Sequence, residues 1–177
     1  LLSLAGCSAT KFVPDGQYLL NKATVKVEDT HEVLSQDLRN YLQQKQNTEI
    51  LGFWKLQLGI YNTSSQDTTK WTSRNARKIG EPPVIYSEEL TERSMQQLEH
   101  AMDNKGYFQA EIDTTKVVKE KKLDLTYHVT ANEPYHIRNY TISFPNTDLQ
   151  QIAASERFRL LLEGMRFEVD LRNQERQ

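Results

Sequence analysis

The chain has 177 residues, with 22 Lys and Arg against 24 Asp and Glu and a formal net charge of −2; its mean hydropathy is −0.70. A chain without a cationic surplus argues against a nucleic-acid binder, because phosphate affinity rests on clustered Lys and Arg. One cysteine rules out an internal disulfide, and no apolar run is long enough for a membrane-spanning helix; 8 Tyr, 6 Phe and 2 Trp supply bulk for one or two small, polar α+β modules.

The chain opens Leu1-Leu2-Ser3-Leu4-Ala5-Gly6-Cys7 without an initiator Met and closes in a polar helical pattern. The expectation is a piece of a longer protein, with residues 1–7 as the end of a secretory signal. Leu4, Ala5 and Gly6 ahead of Cys7 have the spacing of a bacterial lipobox, in which the thiol takes a diacylglycerol and the freed amine a further acyl chain. Two or three chains anchor a protein where one does not. The plainer reading of Cys7 is a small buried thiol. Ser8 in place of Asp is, by resemblance to bacterial lipoproteins, compatible with the outer membrane.

Residues 8–17 form a polar tether with a turn at Pro14-Asp15-Gly16. From Tyr18 to Glu28, Ala23, Val25 and Val27 alternate with polar residues, which predicts a half-buried strand. Leu34, Leu38, Tyr41 and Leu42 fall on one helical face, with Thr30 or Ser35 as its cap. Residues 48–86 read as an irregular insertion, apolar from Leu51 to Tyr61, polar from Asn62 to Lys70 and extended at Pro82-Pro83. Ser87 caps the next predicted helix, whose apolar face is Leu90, Ser94, Met95, Leu98, Ala101 and Met102, with Gly106 as its C-terminal stop. Phe108, Ala110 and Ile112 begin a strand, Lys119-Glu120-Lys121-Lys122 turns, and Leu123, Leu125, Tyr127 and Val129 alternate along another strand. After Asn132-Glu133-Pro134 a second unit, 134–177, opens with a strand at Tyr140, Ile142 and Phe144 and helices after it, the last introduced by Gly164, Phe167 and Asp170. The expected order is β-α-(irregular)-α-β-β over 18–133, followed by the start of a repeat.

This order resembles the POTRA (polypeptide-transport-associated) family, and Gly106-Tyr107-Phe108-Gln109-Ala110 is similar to its junction between second helix and second strand. The run from Cys7 to Leu20, and Ile79-Gly80-Glu81-Pro82-Pro83-Val84, resemble the TamL group, the lipidated BamA/TamA-type outer-membrane assembly proteins of Bacteroidota. The resemblance implies an α+β fold of tandem POTRA domains, each a small mixed three-stranded sheet covered by two helices, the second truncated and the first interrupted by the insertion. It also implies a lipid-anchored position on the periplasmic side of the outer membrane. The implied partners are unfolded outer-membrane proteins and a TamB-like protein of the AsmA class. The implied work is outer-membrane protein assembly, with lipid transport beside the same partner, a spacer for a barrel, and a fragment of a periplasmic lipoprotein enzyme as alternatives.

The residue chemistry points to binding. His31, His100, His128 and His136 lack metal-ligand spacing, and neither a phosphate loop nor a G-x-S-x-G elbow occurs. No catalytic residue, metal or cofactor is expected. By resemblance, the edge strand that receives an extended peptide contains Phe108, Ala110, Ile112, Val117 and Val118. Its alternative is a passive edge guarded by Lys116, Lys119 and Lys122. Phe53, Trp54 and Tyr61 form an apolar patch, read as core of the insertion or as a surface for lipid head groups.

Overall fold

The computed structural model of the chain describes residues 9–49, 55–64, 70–139 and 164–169. In chain order these form β1 (Leu19–Val27), α1 (Ser35–Leu38), a 3-10 turn (Arg39–Tyr41), α2 (Leu56–Thr63), α3 (Trp71–Ile79), α4 (Glu88–Asn104), β2 (Glu111–Lys119) and β3 (Lys122–Thr130). The strands make one mixed sheet in the order β1-β3-β2, with β3 parallel to β1 and antiparallel to β2.

The alternation in β3 dictates its central place. Leu123, Leu125, Tyr127 and Val129 are all buried and join Leu20, Ala23 and Val25 of β1 and Leu98, Ala101 and Met102 of α4 in the main core. Partners in register share a face, so Ile112, Thr114, Lys116 and Val118 of β2 lie on the helix-covered face. Glu111, Asp113, Thr115 and Val117 lie on the bare face with Asp124, Thr126, His128 and Thr130.

α4 has the predicted ends. Ser87 Oγ accepts from Leu90 N–H at 3.4 Å, and Glu88 and Glu89 occupy the positive end of the helix dipole. At the other end Tyr107 N–H donates to Met102 O at 3.0 Å and Gly106 N–H to Asp103 O at 2.9 Å. That pair of bonds is a Schellman motif, and Gly106 takes the left-handed φ of +87° that it needs.

Two segments differ from expectation. The helix around Leu34 to Leu42 is only α1 and the 3-10 turn; Leu38 and Leu42 are buried, but Leu34 and Tyr41 are exposed. Neither expected cap serves α1, because Ser35 Oγ accepts from Val27 N–H of β1 at 3.3 Å and Thr30 Oγ1 from Glu32 N–H at 3.2 Å. Residues 48–86 are not irregular throughout, since they contain the helical hairpin of α2 and α3. Leu58 of α2 is buried with Val13 and Leu19 in a second, small core.

The lipobox residues Leu4, Ala5, Gly6 and Cys7 lie outside the described residues, as do Phe53, Trp54, Tyr140, Ile142, Phe144, Thr147, Asp148, Leu149, Ile152, the stretch 157–163 and Asp170.

Candidate functional site: the outer edge of β2

Both β1 and β2 are outer strands of the described sheet, but only one is covered. Along β1, Leu20 N–H donates to Val84 O at 2.8 Å and Tyr86 N–H to Tyr18 O at 2.9 Å. Farther along, Ala23 N–H donates to Gln46 Oε1 at 3.1 Å and Val27 N–H to Ser35 Oγ. Lys55 Nζ donates to Asn21 O and, at 3.0 Å, to Asn21 Oδ1, with Glu49 at 3.7 Å. Burial pulls the Lys55 pKa below its usual value against the attraction of Glu49. The insertion thus lies along β1.

The covering strap, residues 82–86, contains two prolines and is poor in donors, so buried amides complete it. Asn47 Nδ2 donates to Pro82 O at 2.7 Å while its Oδ1 accepts from Val84 N–H at 3.1 Å. Gln44 bridges Ile85 O at 2.5 Å and Ser87 N–H at 3.1 Å.

No described strand or strap covers β2. Its turn to β3 has two residues, Glu120 and Lys121, closed by the pair Lys119 and Lys122. Only Glu120 of the two takes positive φ, at 55°, the pattern of a type II′ turn. A two-residue hairpin closes on a hydrogen-bonded pair, so odd-numbered residues of β2 bond inward to β3. The even-numbered residues Ile112, Thr114, Lys116 and Val118 therefore aim N–H and C=O outward. Thr114 agrees, because its N–H is taken by the Asp113 carboxylate at 2.7 Å. The outward N–H groups of Ile112, Lys116 and Val118 are left for an added strand.

The side chains around this edge are mixed. Val117 and Val118 are 46% and 47% exposed, on opposite faces of the sheet. Lys116 bonds both Glu88 oxygens, at 2.5 and 2.6 Å, and its ammonium lies 5.5 Å from the Tyr86 ring centroid. Its hydrogen bond to Glu88, then that to Tyr86, raises the Lys116 pKa, and the same bond lowers that of Glu88. Lys116 is therefore tied to α4 and is not a free guard of the edge. On the bare face His128 bonds Glu28, just past the end of β1, at 2.6 Å and Thr115 of β2 at 3.1 Å. His128 is thus half-buried and paired.

The predicted edge residues separate into two groups. Ile112, Val117 and Val118 are in β2, but Phe108 and Ala110 precede it. Phe108 stays 46% exposed, its ring 5.3 Å from that of Tyr135 and 5.6 Å from that of Phe167 between centroids. Ala110 packs against the main core. Tyr61 is half-buried and meets Phe12 of the N-terminal segment edge-on at 5.4 Å. Among the described residues no cluster of three or more His, Cys, Asp or Glu could hold a metal ion, and no helix is long and apolar enough to cross a membrane.

The start of the next segment is docked at the end of α4. Tyr135 N–H donates to Gly106 O and Phe167 N–H to Tyr135 O, both at 2.8 Å. Arg166 donates to Glu32 at 2.5 Å, to Glu168 at 2.6 Å and to the Tyr107 hydroxyl at 3.2 Å. Gly164 and Phe167 flank a short antiparallel pairing of Arg166 with His136, and Val169 after them is helical, the expected continuation lying outside the described residues.

The sheet order accords with a comparison against family models. Residues 23–132 match the POTRA model, described as a surface antigen variable number repeat. The chain belongs to the POTRA family. Among solved structures it is similar to POTRA domains 3–5 of Haemophilus influenzae BamA, at 11% identity and a TM-score of 0.33, over 93% of this chain and 86% of that one. No curated protein matches this POTRA chain.

Gln44, Gln46 and Asn47, which complete the covered side of the POTRA sheet, escaped the sequence reading. Single polar residues in a coil segment carry no periodic signal. The density of amides in Gln43-Gln44-Lys45-Gln46-Asn47 ahead of a donor-poor Pro82-Pro83 was the available clue.

Proposed function

We propose that this POTRA region takes an extended client polypeptide onto the outer edge of β2 during outer-membrane protein assembly. The carrying observation is the asymmetry of the sheet: β1 is covered by residues 82–86 and by Gln46, Ser35 and Lys55, whereas β2 presents outward N–H groups at Ile112, Lys116 and Val118. Main-chain pairing makes such a site tolerant of client sequence, and Val117 and Val118 add apolar surface on both faces.

The wider reading is supported by the POTRA family and by the spacing of Leu4-Ala5-Gly6-Cys7. Cys7 carries the lipid, the module sits on the periplasmic side of the outer membrane, and the protein is of the lipidated BamA/TamA (TamL) type with a TamB-like partner. Residues 134–177 begin a second POTRA unit, whose first described segments dock against Gly106 and Tyr107. Cys7→Ala should release the protein from the membrane fraction; retention there would remove the lipid reading.

The edge is tested with a synthetic strand peptide of about ten alternating apolar and polar residues. Val118→Pro removes an outward donor and leaves the β2–β3 ladder intact, since proline is tolerated where the N–H faces out. Peptide affinity should fall severalfold with the urea midpoint nearly unchanged. Val117→Pro removes an inward donor and should destabilise the hairpin itself. Undiminished binding by Val118→Pro, or peptide-induced amide protection along β1, would overturn the assignment.

A further inference from the structure

The insertion carries a second surface, unrelated to the sheet edge. In a chain of net charge −2, the stretch from Lys70 to Gly80 holds Lys70, Arg74, Arg77 and Lys78 and no acidic residue. α3 sorts these residues by face. Ser73 is buried, and Arg77 turns inward, its guanidinium 5.5 Å from the Phe12 ring centroid and 5.9 Å from that of Tyr61. Trp71, Arg74 and Lys78 follow at three- and four-residue spacing on the opposite, exposed side, with Ile79 one position round. Trp71 is 69% exposed and Ile79 67%. None of the ion pairs among the described residues involves Lys70, Arg74 or Lys78.

We propose that this face of α3 lies on an anionic phospholipid surface. Single exposed apolar side chains are ordinary. Here the widest aromatic and a β-branched aliphatic share one face with unpaired cations. An interfacial helix uses this chemistry: the indole and the aliphatic chain enter the headgroup–acyl boundary while Lys and Arg meet lipid phosphates. A protein partner would have to set an acidic and an apolar patch in matching places, whereas an anionic bilayer offers both at every point of its surface.

The face is also preorganised. A Cβ on Gly80 would lie 2.5 Å from Tyr61 N and 2.7 Å from Ala76 O, so the end of α3 is pressed onto α2. Glu81 N–H donates to Gln57 O at 3.1 Å, closing the hairpin and bringing the exposed Leu56 to the same end as Ile79. Binding to a membrane therefore does not require folding a helix there. The N-terminal segment packs on the same hairpin, with Lys11 Nζ donating to Asn62 O at 3.0 Å and Ser64 O at 2.7 Å. An acyl chain on Cys7 would then act beside a basic patch, the two-signal arrangement that makes membrane attachment stable.

The test uses the whole 177-residue chain with Cys7→Ser, so that no acyl chain contributes, and Trp54→Phe, which leaves Trp71 as the sole tryptophan. It is mixed with vesicles of phosphatidylethanolamine and phosphatidylglycerol, and separately with vesicles of phosphatidylcholine alone. The expected result is flotation with the anionic vesicles and a blue shift of Trp71 emission, both weakened by salt. Each cation near such a surface is worth about fivefold in affinity, so Arg74→Glu with Lys78→Glu should lower binding by at least about 25-fold. Val118→Pro should float as the parent does, which separates this surface from the peptide edge. Absence of flotation would overturn the proposal, as would unchanged flotation of the charge-reversed variant or an unshifted Trp71 in floated protein.

Discussion

Gly106 offers a prediction that separates two physical demands on one glycine. It has φ of +87°, and a Cβ there would also lie well inside van der Waals contact of the Phe167 carbonyl oxygen. Gly16 has a similar φ of +78° with nothing within 4 Å of the site of its Cβ. Gly16→Ala therefore measures the left-handed backbone alone, about 1–2 kcal/mol. Gly106→Ala carries the same penalty and must also displace backbone, because no flexible side-chain end can give way. The bonds then at risk are Tyr135 N–H to Gly106 O and Phe167 N–H to Tyr135 O. At roughly 0.5–1.5 kcal/mol each, they predict an excess loss of about 1–3 kcal/mol over Gly16→Ala. Urea unfolding gives the two stabilities, and hydrogen exchange at the Tyr135 and Phe167 amides locates the damage. Equal losses for both variants, with those amides as protected as in the parent, would refute a close-packed junction between α4 and residues 164–169.

The remaining predictions concern the frame that holds the edge. Ser87→Ala should cost about 1 kcal/mol in urea unfolding by removing the cap on Leu90 N–H. Leu98→Ala, at a fully buried position of α4 over the sheet, should cost about 2–5 kcal/mol, and a loss below that range would mean that the helix does not pack there. Asp29 ties off the end of β3 by accepting from Ala131 N–H at 2.8 Å and Asn132 N–H at 2.7 Å. Burial alone would raise its pKa, but those donors outweigh it and hold it below the ordinary 3.8. Its contribution is therefore present above that ordinary value and lost as pH falls through the lowered one. The parent should exceed Asp29→Asn in urea midpoint at neutral pH, and the gap should close on acidification; a constant gap would argue against the charged clamp.

The sheet and α4 were legible because their signals are periodic and local. Leu123 to Val129 alternate cleanly, and Ser87 and Gly106 bracket an apolar stripe of helical spacing. α1 misled because Leu34 and Tyr41 fit a helical face by spacing but end up exposed, while Ser35 is drawn off to β1. α2 and α3 escaped because Gly59, Asn62, Ser73 and Asn75 dilute their helical pattern, and because their partner surfaces are distant in sequence. At the candidate site, the strand was legible and its directions were not. Which N–H groups face out depends on the Glu120-Lys121 turn, and Phe108 lies ahead of the strand with its ring against Tyr135 and Phe167, residues distant in sequence. Val117 bonds inward to β3, so Val118, whose N–H faces out, is the probe of the edge.

The Asp113 carboxylate gives the β2 edge a built-in competitor. It holds Thr114 N–H at 2.7 Å, in the middle of the strand and between the donors of Ile112 and Lys116. A strand that pairs along the full length must first evict that carboxylate, a charged hydrogen bond of about 1.5–3 kcal/mol. One that avoids the exchange is confined to the few residues between Thr114 and the turn. Either way an added strand would gain less from this edge than from one whose donors are all open. The same carboxylate would also oppose pairing of this edge with a second copy of itself.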